Sequence, residues 1–174
     1  MLFYIIVLTK QEESELIRLL GKMKFPVSQE LFFAWSKTGT TVSADVIVMR
    51  KTASGYEAFL TYRDDPFFKG WHVPGSIRLP SEKWDDTLKR VLVGELGLPA
   101  DTKTDFFKWF DHPYGTKVGE NPRGSVISIY STCMDPGNVT ENDIGRFFPV
   151  SKIPKNILTV HIPIMKALAE RFSA

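Results

Sequence analysis

Cysteine is almost absent from this chain: Cys133 is its only one. That excludes an intrachain disulfide and the cysteine-based zinc patterns, and it fits a reducing compartment, so the expected location is the cytoplasm. An excess of charge is missing too. Against 20 Asp and Glu stand 22 Lys and Arg, a net +2 with no basic run, so neither nucleic acid nor a membrane is an expected partner. Long apolar runs are also lacking. The opening stretch 2–8 is apolar but too short to span a bilayer, carries no basic leader and is followed by acidic residues, so it reads as a strand or packing segment. There is no internal repeat and no low-complexity segment. Asn138-Val139-Thr140 matches the N-glycosylation pattern, which recurs by chance and matters only in a secreted chain, so it is set aside.

What is present is an ordinary folded composition, with 43% hydrophobic and 24% charged residues, which argues against extensive disorder. The 174 residues suit one domain. Leu16, Leu19, Leu20 and Met23 recur at helical spacing within residues 12–23. This unit reads as accessory, leaving an extension over 1–24 and a domain over 25–174. A short helix is expected over 28–35, with Gly39 marking its end. Residues 41–50 and 56–63 are rich in β-branched and aromatic side chains and read as a hairpin joined by 52–55. Residues 70–75 suggest a short strand ending in a turn. A helix follows over 81–96, with Ser81 as N-cap, Asp85 and Asp86 near its start and Gly97 as its stop. Strands are expected over 105–111, 125–134 and 146–150, and a last helix over 158–172. This order predicts a mixed α+β fold whose central helix packs on a sheet.

The informative stretch is 74–98, P-G-S-I-R-L-P-S-E-K-W-D-D-T-L-K-R-V-L-V-G-E-L-G-L. It resembles the Nudix box, G-x5-E-x7-R-E-U-x-E-E-x-G-U with U aliphatic. Gly97 on the last glycine puts Glu82, Arg90, Glu95 and Leu98 on matching positions. Ser76 stands on the first glycine, and Val91 and Gly94 replace two helix glutamates. A full box clusters three acids on one helical face, and here only Glu95 remains. The reduced box resembles that of the GDP-mannose mannosyl hydrolases, R-L-T-x-A-E-L-G. The likeness runs over residues 26–155: residues 42–48 resemble the strand bearing an active-site aspartate (Asp45), Arg63 falls on a substrate-binding arginine, residues 71–75 resemble W-F-V-P-G, and residues 111–114 resemble Q-H-x-Y.

This resemblance implies the Nudix fold, a mixed β-sheet sandwiched between α-helices. It also implies hydrolysis of a nucleoside diphosphate sugar at the anomeric carbon, releasing sugar and nucleoside diphosphate, and a homodimer. One magnesium ion, with manganese as the alternative, and a few guanidinium groups would stabilise the diphosphate leaving group. The metal ligands implied are Glu95, the Gly75 carbonyl and the Asn142 amide oxygen. The substrate contacts implied are Asp45, Arg63, Arg90, His112 and Tyr114, with Arg90 either near phosphate or orienting Glu95. For the base that activates water, the family's Glu-Gln-His loop corresponds to Glu141-Asn142-Asp143. Asp143 would need a raised pKa to act there, whereas His112 titrates near neutrality when unperturbed.

Plainer readings stand beside these. Glu82 and Asp86 read as solvated helix charges, with Asp86 and Arg90 as an i,i+4 pair. Asp45 reads as an edge-strand charge, and His72 and His161 as packed or structural. Phe67, Phe68 and Trp71 suit either a core or a stacking platform. Residues 115–124, with Lys117 and Arg123, read as a substrate flap or an inert loop. Three functions remain open at this point: sugar-releasing hydrolase, nucleotide-binding module without turnover, and hydrolase of the diphosphate bond itself.

Overall fold

The computed structural model describes residues 8–66, 68–112, 124–137 and 139–172. The expectations for Phe67, Tyr114, Lys117, Arg123, Asn138 and most of the opening apolar segment lie outside the described residues. The elements run α1 (Lys10–Leu20), α2 (Gln29–Ser36), β1 (Thr41–Thr52), β2 (Gly55–Asp64), β3 (Lys69–His72), β4 (Gly75–Ile77) and α3 (Trp84–Gly94). Then follow β5 (Asp105–His112), β6 (Val126–Met134), β7 (Gly145–Pro149), a 3₁₀ turn (Thr159–His161) and α4 (Ile162–Phe172). No helix among the described residues is long and apolar enough to cross a membrane.

β1 is the spine of a seven-stranded mixed sheet. Along one edge it pairs in parallel with β6, from Thr41↔Val126 to Met49↔Met134. On the other edge its first half meets β4 and its second half β2, both antiparallel. β2 also pairs with β3 and β7, and β5 closes the far side against β6.

The two-residue period of β1 distributes its side chains between two cores. Val46 and Val48 face one way and pack with Val91 and Leu92 of α3, along with Phe59, Cys133 and Phe147. Ile47 and Met49 face the other way and join Leu60, Tyr130 and, from α4, Ile164, Met165 and Leu168. The sheet is therefore sandwiched between α3 and α4, the expected α+β arrangement. A fully buried Val or Leu contributes ~1.5–3 kcal/mol, so these two faces hold the helices in place. By contrast, α1 buries none of its residues, although Thr9 and Glu12 close a capping box at its start.

Two local expectations are corrected. Ser81 is not a helix N-cap: it has φ 65°, and α3 begins after Lys83, which makes no side-chain cap bond. The Glu82 carboxylate draws the preceding turn together instead, accepting from the Leu79 N–H and the Thr87 hydroxyl. His161 lies in the 3₁₀ turn, ahead of the last helix. The stop at Gly97 is as expected: its φ of 64° turns the chain so that the Leu98 N–H reaches the Leu92 carbonyl at 2.8 Å.

Candidate functional site

A cleft of about 330 Å³ opens on the sheet face that carries Ser43, Asp45 and Ser128. Parallel register places Ser43 beside Ser128 and Asp45 beside Tyr130, so all four share one face. The wall also includes Phe32 of α2, Arg63, Phe68, His72, the Val73–Ile77 segment without Pro74, Glu95, His112, Val126, Leu158, Val160 and His161.

Gly75 is the meeting point of two carboxylates. It pairs with Asp45 across β4 and β1, and a Cβ built on it would lie 2.2 Å from Asp45 Oδ1. Only glycine permits so close an approach. On the other side, the Gly75 N–H donates to Glu95 Oε2 at 3.0 Å. Asp45 itself is buried at 6% exposure and receives the Ser43 hydroxyl at 2.5 Å. Glu95 is the C-cap of α3 and is open to solvent, yet enough protein surrounds its carboxyl for desolvation to raise its pKa. The Gly75 N–H and the charges of Arg63 and Arg90 act in the opposite direction. The exposure and the desolvation are compatible because the group stands at the cleft mouth, wet on one side only.

Arg90 is absent from the wall. Its fork closes on Glu82, Nε to Oε1 and Nη2 to Oε2, both at 2.9 Å. Nη1 donates to Ser76 Oγ at 2.6 Å and Nη2 to the Ile77 carbonyl at 2.9 Å. Arg90 thus ties α3 to the loop holding Gly75, and its partner is Glu82, not Asp86. Hydrogen bonding from Arg90 is the largest influence holding the Glu82 carboxyl down at about 2. The Glu82–Arg90 pair is a clamp, with the planar geometry that suits arginine and carboxylate.

Arg63, from β2, stacks over Phe68 with its guanidinium carbon 4.8 Å from the ring centre, and its Nε donates to Asp65. It is the one arginine of the cleft wall among the described residues. His112 ends β5. Its Nε2 is buried with no hydrogen-bond partner among the described residues, and burial lowers its pKa, an effect that Asp111 partly offsets. Burial thus favours the neutral imidazole, whose Nε2 can accept a proton.

Asn142 and Asp143 are not brought to the cleft. Asn142 Oδ1 accepts the Ile144 N–H at 2.9 Å, and Asp143 is fully exposed with Arg146 Nη2 at 3.5 Å. Their segment leads into β7, which pairs with β2, and the neighbouring Glu141 bonds Arg50 at the far end of β1 from Asp45. Tyr114 lies outside the described residues. Conversely, His72 and His161, read from sequence as packing residues, do line the cleft, as do Ser43, Ser128 and Phe32. The alternation of β1 could have flagged Ser43, which shares Asp45's parity. Nothing local marks Phe32 or His161, because other elements bring them there.

Among the described residues no three His, Cys, Asp or Glu side chains converge as a metal site. The donors flanking Gly75 are the Glu95 and Asp45 carboxylates and the Gly75 carbonyl. Such a sparse oxygen set suits magnesium, which keeps several waters and takes one or two carboxylates, and does not suit a cation that must be stripped of water. Val91 explains one missing acid: at 0% exposure it belongs to the core under α3, where a carboxylate would be buried in an apolar cluster. Gly94 is different, since a Cβ there meets nothing within 4 Å.

No family model and no curated protein sequence matches the chain. Solved structures do. A mutT/nudix family protein from Listeria innocua is 20% identical with a TM-score of 0.61, over 75% of this chain and 92% of that one. The NUDIX domain of Shewanella oneidensis NrtR, crystallised with ADP ribose, is 13% identical with a TM-score of 0.59, over 83% and 99%. Ap4A hydrolase from C. elegans is 15% identical with a TM-score of 0.54, over 76% and 96%. Identities this low speak to architecture, and the architecture of this chain is the Nudix fold.

Proposed function

We propose that the chain is a magnesium-dependent Nudix hydrolase acting on a nucleoside diphosphate sugar, with manganese as the alternative ion, and that it releases sugar and nucleoside diphosphate. The observation that carries this reading is the grouping in one cleft of Glu95, Gly75 and Asp45 with Arg63 and the buried Nε2 of His112. Glu95, the Gly75 carbonyl and Asp45 would hold the ion, whose chemistry is to neutralise charge on the departing diphosphate. Arg63 binds an anionic oxygen of that diphosphate, and Arg90 is a positioning residue that holds the Gly75 loop against α3. His112, neutral at physiological pH, takes the proton of the attacking water at Nε2. Asp143 is the weaker candidate for this role because of its exposed position. The homodimer, the cytoplasmic location and the accessory role of residues 1–24 belong to the same reading.

Two other readings each have an observation in their favour. The replacement of two box acids by Val91 and Gly94 favours a nucleotide-binding module without turnover. The structural likeness to an Ap4A hydrolase favours attack on the diphosphate bond. A panel of nucleoside diphosphate sugars incubated with magnesium separates the three. Free sugar with nucleoside diphosphate supports the proposal, nucleoside monophosphate supports diphosphate-bond cleavage, and binding without products supports the module.

A further inference from the structure

Two arginines stand near the cleft, and they are held in different ways. Arg90 engages every nitrogen of its guanidinium, with Glu82, Ser76 and the Ile77 carbonyl as partners. Arg63 engages Nε, which donates to Asp65 Oδ2, and its Nη1 and Nη2 make no hydrogen bond among the described residues. The difference begins in the sequence. Asp65-Pro66 opens the turn between β2 and β3, where an aspartate side chain can accept from the backbone ahead and proline presets φ. Asp65 Oδ1 accepts the Phe68 N–H at 2.9 Å, and the Asp65 N–H donates to the Phe68 carbonyl at 3.0 Å. With Oδ1 turned to the backbone, the carboxylate meets the guanidinium through Oδ2, a single contact instead of a fork.

The same turn delivers Phe68, whose ring centre lies 4.8 Å from the Arg63 guanidinium carbon. One nitrogen and one face of the group are therefore fixed, and the Nη1–Nη2 edge is what remains. Arg63 and Phe68 both line the cleft, whereas Asp65 is not part of its wall. The Arg63 charge reaches the Glu95 carboxyl, whose pKa it lowers, so the guanidinium acts on the same end of the cleft as Gly75. Two parallel N–H donors on a planar group match two oxygens of a phosphate. A long side chain free to turn loses rotamer freedom when it grips an anion, and one already fixed does not.

We propose that Asp65 and Phe68 are positioning residues that mount Arg63 as the phosphate grip of the cleft, Asp65 fixing Nε, Phe68 fixing the plane, and the Nη1–Nη2 edge meeting the anion. The assignment rests on the reading of Arg63 as a diphosphate contact and adds the residues that make it one. It also carries a sign opposite to that of electrostatics alone. Asp65 is an anion beside an anion site, so its charge opposes binding, and removing that charge by itself would strengthen the complex about twofold. Its orienting role acts the other way and is the larger of the two.

The test is calorimetric titration of the full chain with inorganic pyrophosphate, with magnesium present throughout. Arg63→Ala is expected to weaken binding about tenfold, the loss of a charge-assisted pair of bonds. Asp65→Ala is expected to weaken it about fivefold although a repelling charge has gone, because the arginine must then be ordered by the ligand. Phe68→Leu is expected to weaken it about threefold. In the Arg63→Ala background neither Asp65→Ala nor Phe68→Leu is expected to cause further loss, since nothing is left to position. Circular dichroism confirms the fold, and should Asp65→Ala not fold, Phe68→Leu measured in both backgrounds decides. Binding that Asp65→Ala leaves unchanged or tightens, or that it weakens equally in both backgrounds, overturns the mount, as does an Arg63→Ala variant that binds like wild type. Failure of the hydrolase reading looks different: the variants behave as expected, but nucleoside diphosphate sugars release no sugar. A wild type that does not bind pyrophosphate overturns both.

Discussion

Glu82→Gln isolates the clamp that positions the site. The carboxylate accepts two bonds from Arg90, one from the Leu79 N–H and one from Thr87, and its side chain is 14% exposed. A carboxyl held at about 2 against an ordinary 4.5 corresponds to at most about 3 kcal/mol of linkage. Because the Arg90 side chain is 36% exposed, solvent screens the pair, and ~1–2 kcal/mol is the expected loss. The sign follows from a depressed pKa: the stabilisation is complete above pH 4.5, declines as the pH falls, and is gone once it passes through about 2. Urea unfolding of wild type and Glu82→Gln between pH 7 and pH 3 reads this directly. The gap between the two midpoints is expected to be widest near neutrality and to narrow steadily below pH 4.5. A gap that is absent at pH 7, or that stays constant down to pH 3, refutes the clamp as described.

The remaining predictions concern the cleft. Glu95→Gln is expected to abolish magnesium-dependent turnover and to weaken magnesium binding in calorimetry, and full activity in this variant rules out Glu95 as the essential ligand. His112→Ala is expected to lower turnover more than Asp143→Asn, and the reverse ranking moves the base to the later loop. Since burial lowers the His112 pKa, the acid limb of kcat/KM assigned to it should fall below the ordinary histidine value, and Asp111→Asn, which removes a charge that raises that pKa, should move the limb lower still. Gly94→Glu adds a carboxylate beside Glu95 where a Cβ meets nothing within 4 Å, so magnesium affinity should rise about fivefold, from ~1 kcal/mol of added attraction in a water-like dielectric. No change in the binding isotherm places position 94 away from the ion.

The local order of the chain was readable from pattern because it depends on local physics. The β-branched residues over 41–50 determined β1, the two-residue strand period then decided which of its residues share a face, and Gly97 marked the end of α3 because that position takes a positive φ. The box spacing likewise put Arg90, Glu95 and Gly75 within one loop and helix. Which partners those side chains take was decided by tertiary packing. Arg90 reads as a residue near phosphate or one orienting Glu95 until Glu82, Ser76 and Ile77 are seen to occupy its fork. The replacement of a box acid by Val91 reads as a loss until the position is found in the apolar layer beneath α3. Asn142 and Asp143 sit where a family pattern suggests a ligand and a base, yet their segment leads into β7 at the far end of β1 from Asp45. His72, His161, Phe32 and Ser128 are separated along the chain and carry no shared motif. They meet only because the parallel β1–β6 pair, α2 and the turn before α4 close around one cavity, and sequence spacing holds no record of contacts made across such distances.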